Sequence, residues 1–187
     1  MKKAAIYAVF SCSLIVFSVI FTPVYSQNSG KELDVNNTGL LPSNPFYFVK
    51  EWSRSLQKAL TFDSLKRLEL IINIFNQKGA ELKKLVQVDP QKIESINKAI
   101  SSYNLALDDL IREINSIEPA EIINFDKTMT KITAISFRHF NLLTELKIQF
   151  RNKALENSFE LLTNKIVNLI FIASDQLENF DFFRIRF

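Results

Sequence analysis

From Leu65 onward, apolar residues recur at alternating spacings of three and four over stretches long enough to decide the fold. The first set is Leu65, Leu68, Ile72, Phe75, Gly79, Leu82 and Val86. After Asp89-Pro90 the rule is repeated by Ile93, Ile96, Ile100, Tyr103, Leu107, Leu110, Ile114 and Ile117. After Glu118-Pro119 it returns at Ile122, Phe125, Met129, Ile132, Ser136, His139, Leu143, Leu146 and Phe150. Residues three and four apart lie on one side of an α-helix, so each set is a single stripe that must be buried against another. Carried further, the third stripe would put Lys153 and Asn157 in a seam. A new stripe begins instead at Leu155 and runs through Phe159, Leu162, Ile166, Leu169 and Ala173, which places a break within Arg151–Lys153. The expectation is an all-α fold: an elongated antiparallel bundle of about four long helices, each roughly 40 to 50 Å at 1.5 Å per residue. Three-four stripes favour shallow, coiled-coil-like packing. Asp89-Pro90 is a good turn and Glu118-Pro119 a weaker one, so a kinked longer rod is the alternative.

A short N-terminal helix precedes these, with Asn44 as its cap and Pro45 at its first position. Phe46, Val49, Trp52, Leu56 and Leu60 are expected to face the core. Asp63 then caps the first long helix.

The first 26 residues have a different character. Lys2 and Lys3 precede an apolar run over residues 4–21, and Val24 and Ser26 stand at the −3 and −1 positions of a cut after Ser26. That order is a secretory signal peptide, which implies an extracytoplasmic protein, secreted or held in the cell envelope. The run is just long enough to span a bilayer, so a retained anchor is the alternative. Residues 27–40 are polar and rich in turn formers, and read as a flexible linker. Residues 41–187 form the helical domain.

Cleavage removes Cys12, the only cysteine, and with it any disulfide, thiolate nucleophile or cysteine metal site. It also leaves 21 of the 23 basic residues against 20 acidic ones, interleaved along every helix. A nucleic-acid binder concentrates its basic residues on one face, so that class is not expected. No phosphate loop, nucleophile elbow or supported carboxylate pair is present, and no cofactor or metal is expected. Asp108, Asp109 and Glu113 form the densest acidic patch and read as a solvated helix face.

The run Leu41-Pro42-Ser43-Asn44-Pro45-Phe46-Tyr47-Phe48-Val49-Lys50, followed by Thr61-Phe62-Asp63 and later by Arg138-His139, resembles an uncharacterised bacterial family. That family is an extracytoplasmic helical domain of unknown function, opening with Leu-Pro-x-x-Pro-x-Tyr-x-x-Lys. The resemblance covers about Leu41 to Lys165. It implies a helical extracytoplasmic protein and supplies no activity. This chain is richer in Phe and Ile and lacks a proline at the last turn.

Phe46, Tyr47 and Trp52 are expected to clamp the short helix onto the bundle end; docking of a partner is their other possible use. The tail over residues 180–187 alternates Phe183, Ile185 and Phe187 with Arg184 and Arg186, a strand-like pattern that adds Phe183 and Phe187 as docking candidates. His139, the only histidine, sits on an apolar stripe with no carboxylate three or four residues away. It is expected to be buried, neutral and hydrogen-bonded to Ser136, Tyr103 or a backbone group. The functional expectation is a non-enzymatic module acting through protein-protein contacts at the cell envelope. A homodimer is compatible with the long seams, and the alternative is a lipid-surface-binding helical protein.

Overall fold

The computed structural model describes residues 33–117, 125–149 and 153–185, with side chains from Leu155 to Leu177 in the last of these. The leader and most of the turn after Ile117 therefore lie outside the described residues. Five helices follow one another: α1 (Tyr47–Leu60), α2 (Ser64–Val88), α3 (Ile93–Ser116), α4 (Phe125–Gln149) and α5 (Lys153–Ile185). The four long ones form a bundle, as the stripes require. Each break falls where the sequence placed it: at Asp89-Pro90, between Ser116 and Phe125, and between Gln149 and Lys153. The long rod bent at its prolines is ruled out.

Asp63 closes the start of α2 by accepting the Lys66 N–H at 2.8 Å. This satisfies one of the donors that a helix N-terminus leaves unpaired. Asn44 acts two residues earlier than a cap would. Its side chain accepts the Phe46 N–H at 2.8 Å and its carbonyl the Tyr47 N–H at 3.1 Å, and the helix begins at Tyr47.

α2 packs beside α1, α3 and α4, while α5 packs beside α3 and α4. Asn76 meets His139 and Lys83 meets Glu145, so α2 and α4 run parallel. The bundle is thus two antiparallel hairpins, α2–α3 and α4–α5, laid side by side. The diagonal helices α3 and α4 meet at the centre through Tyr103 and His139.

Every stripe residue with a described side chain is buried, except Leu65 and Ile93, which are partly so. The core also takes in residues assigned to a linker. Leu33, Val35 and Thr38 are buried, and Asp34 bonds Arg138 at 2.6 Å, so residues 33–40 lie against the bundle. The turn through Gly39 has φ +61, a conformation natural to glycine. It presents the Thr38 and Leu40 carbonyls to Lys50 Nζ, the latter at 3.1 Å.

Three other expectations are corrected. The backbone over 180–185 continues α5 and is not a strand. Its upstream residues sustain the helical period, which outweighs five residues of alternation. The Phe183 side chain and Phe187 lie outside what is described. Asp108, Asp109 and Glu113 are not simply a solvated face. Asp109 pairs with Lys58, Asp108 with Lys165 at 2.8 Å and Glu113 with Arg67 at 2.7 Å, which ties α3 to α1, α5 and α2. The third correction concerns α1 and defines the site.

Candidate functional site

α1 is mounted inside out. Tyr47, Lys50, Glu51, Arg54 and Lys58 recur at three- and four-residue spacing, which gathers them on one side of the helix. That side faces the bundle, and Arg54 is the only buried residue of α1. Phe48, Trp52, Leu56 and Leu60 share the opposite side and face outward, with Trp52 69 % and Phe48 66 % exposed. Phe46 and Phe62 extend the exposed apolar surface at both ends. Phe46 and Trp52 therefore clamp nothing. Of the three aromatic residues singled out in the opening motif, Tyr47 alone turns inward.

The reason is Glu81, a carboxylate of α2 that is 1 % exposed. Arg54 reaches it at 2.7 Å, Lys50 at 2.6 Å and the Tyr47 hydroxyl donates to it at 2.5 Å. Lys78, one turn earlier on α2, donates to Tyr47 Oη at 2.7 Å and to Ser102 on α3 at 2.5 Å, and pairs with Glu51 at 2.5 Å. Arg54 also bonds Gln77 and Glu51. A carboxylate this deep is costly unless several donors surround it; Lys78 of α2 itself lies 3.9 Å away, and the polar side of α1 brings the closer ones. The apolar side is left outside as a consequence.

The network perturbs its members in the directions its geometry dictates. Burial, reinforced by Glu81, raises the Tyr47 phenol well above its usual range, so it remains a donor. Burial draws the Lys50 and Lys78 ammonium groups below theirs, with Glu81 opposing. Burial would raise the Glu51 carboxyl, but Lys78 and Arg54 hold it lower than usual.

The second polar cluster lies at the centre of the bundle. His139 is fully buried, with Nδ1 3.0 Å from Tyr103 Oη and Nε2 3.0 Å from Asn76 Oδ1. The geometry suits a neutral ring protonated at Nε2, which donates to Asn76 and accepts from Tyr103. Phe75 stacks on the imidazole at 3.9 Å between centroids. Burial, with the Arg138 charge adding to it, pushes the histidine down to about 3. Ser136 is not its partner; its hydroxyl donates to the Ile132 carbonyl.

Every buried side-chain polar atom among the described residues has a hydrogen-bond partner. No group of three potential metal ligands occurs among the described residues. An open cleft of about 630 Å³ beside α1 is lined by residues that include Ser43, Tyr47, Phe48, Glu51, Glu94 and Ser95.

The family model for a domain of unknown function, DUF5667, matches residues 39–164. The chain belongs to this family. The match opens at Gly39, beside the carbonyls that hold Lys50, and takes in both polar clusters whole. No curated protein and no solved structure matches the chain. Within the family domain, sequence reasoning missed Lys50, Arg54, Lys78, Glu81 and Asn76. The available signal was that Lys78 and Glu81 flank the Phe75–Gly79–Leu82 seam, where uncharged residues belong.

Proposed function

We propose that this chain is a non-enzymatic helical module that acts by protein contact at the cell envelope, with the outward side of α1 as its contact surface. The observation that carries the reading is the inversion of α1. Phe46, Phe48, Trp52, Leu56, Leu60 and Phe62 form one exposed apolar surface, held in place by buried ion pairs behind it. Monomeric proteins rarely keep such a patch without a use for it. Aromatic residues with few charges are the composition of an interface centre.

The address rests on the leader over residues 1–26. Lipid is the second reading, and α1 suits it less well. Helices that lie on membranes set Lys and Arg beside their apolar side, whereas Lys50, Arg54 and Lys58 point inward to carboxylates. No described helix is long and apolar enough to cross a membrane.

The test is a photoreactive amino acid placed at Phe48 or, as a control, at exposed Asn97 in cells producing the protein. Protein adducts are expected from position 48 and not from 97. Equal labelling, or none to protein, would sink the reading. Sequencing the N-terminus of the recovered chain tests the cut after Ser26.

A further inference from the structure

We infer that the occupant of the α1 surface is a second copy of this chain, paired through the same surface. The inference rests on the protein-contact reading above and names the partner. Its first support is area. From the sizes of these side chains and their exposure, the six apolar residues present roughly 900 Å². A stable two-protein interface takes about 800 Å² from each partner. The α1 surface therefore fills one partner's share without help from the rest of the bundle.

Its second support is charge. Two-fold pairing sets a patch against itself, so any charge on the patch meets its own kind. From Pro45 to Phe62 the exposed residues are Pro45, Phe46, Phe48, Trp52, Ser55, Leu56, Gln57, Ala59, Leu60 and Phe62. None is charged. Lys50, Glu51, Arg54 and Lys58 all have ion-pair partners behind or beside the helix. A surface kept neutral by turning four charges inward can meet its own copy without repulsion. Binding a partner with a charged surface would strand that partner's charges.

The third support is shape. Phe48, Trp52, Leu56 and Leu60 follow one another every four residues, the row by which two helices interdigitate as ridges and grooves. Trp52 and Leu56 stand at mid-helix, where they would flank the two-fold axis.

The experiment uses the full chain with Cys12→Ser, so that introduced cysteines are unique. Ser55→Cys lies on the exposed side of α1 and Asn97→Cys on exposed α3. Intact cells producing each variant are treated with a short bis-maleimide. Ser55→Cys is expected to give a species of twice the chain mass and Asn97→Cys is not. Trp52→Glu in the Ser55→Cys background should reduce that species roughly tenfold or more, as loss of a central aromatic anchor does. Its helical circular dichroism should be unchanged, because Trp52 is exposed. Self-crosslinking at Ser55 no greater than at Asn97, or indifferent to Trp52→Glu, overturns the inference. Ser55 adducts only to a chain of another mass would overturn self-pairing and leave the protein-contact reading standing. No adducts, together with Trp52-dependent flotation on phosphatidylglycerol vesicles, would overturn both.

Discussion

His139 owes its neutrality to position. Both ring nitrogens are hydrogen-bonded, Phe75 covers one face, and Gly79 makes room for the ring. A Cβ at Gly79 would lie 2.6 Å from His139 Cε1 and 2.9 Å from Leu33 Cδ1. Two hydrogen bonds pin the ring, so it cannot step aside. Gly79→Ala should therefore cost stability, the 1–3 kcal/mol of overpacking exceeding the gain of about 1 kcal/mol in helix propensity. In a His139→Ala background the sign should reverse, which a double-mutant cycle by denaturant titration would measure. The histidine also sets an acid response. Its folded pKa, about 3, lies below the unfolded value near 6.5, so the unfolded chain takes up the proton first. Its contribution is complete above pH 6.5 and is lost as pH falls toward 3, by at most about 1.4 kcal/mol per pH unit. His139→Leu should fold, pay at neutral pH for unpaired Tyr103 and Asn76, and lose part of the difference in denaturant midpoint between pH 7.5 and 4.5. His139→Asp should be severely destabilised. A wild-type melting profile for His139→Asp would mean that the ring is not in the seam. The residue was legible as buried because it fell on a stripe. Asn76 was not, because it lies beside the stripe of another helix, and pairing across helices leaves no mark in local spacing.

At the scale of the helix, α1 is held by a few polar contacts where α2–α5 are held by many apolar ones. Glu81→Gln keeps the shape and removes the charge on which Lys50, Arg54 and Tyr47 converge. Taking one partner from a buried ion pair commonly costs 3–5 kcal/mol, because the other charge stays behind. Here the cost has an outlet, since α1 can detach without opening the four-helix core. Hydrogen exchange over residues 47–60 should accelerate in Glu81→Gln while residues 100–110 keep their protection. Uniform acceleration would mean that α1 is part of the same cooperative unit. The long helices were legible because twenty-odd residues of unbroken three-four spacing have one physical solution, burial of the stripe. In α1 the same logic failed. Phe46, Trp52, Leu56 and Leu60 read as a core stripe, whereas the buried acid on α2 selected the other side. A 14-residue helix has two sides, and its sequence alone does not say which the bundle will claim.

For the whole molecule, the hairpins are matched in length except at one end. α4 has 25 residues and α5 has 33. Lys147 reaches Glu160 near the turn, as antiparallel neighbours do. Counted by length from Lys153, the 25 residues that match α4 end at Leu177, and the backbone of residues 178–185 continues as helix. Among the described side chains of α5 the last core residue is Ala173, with Leu177 partly buried against the core. A chain ending at Leu177 should therefore keep its fold. Its melting temperature should lie within about 2 °C of the full chain, because Leu155, Phe159, Leu162, Ile166, Leu169 and Ala173, which pack α5 into the core, all remain. It should also keep the Ser55 crosslink, since α1 packs on α2 rather than on α5. The two readings of the molecule separate at this point. A lipid-binding role for the Phe- and Arg-rich tail predicts that the truncated chain no longer floats with vesicles, while self-contact through α1 predicts an unchanged dimer. A fall in melting temperature beyond about 5 °C would show that the end of α5 is part of the packed body, and the register drawn from the helix lengths would be wrong.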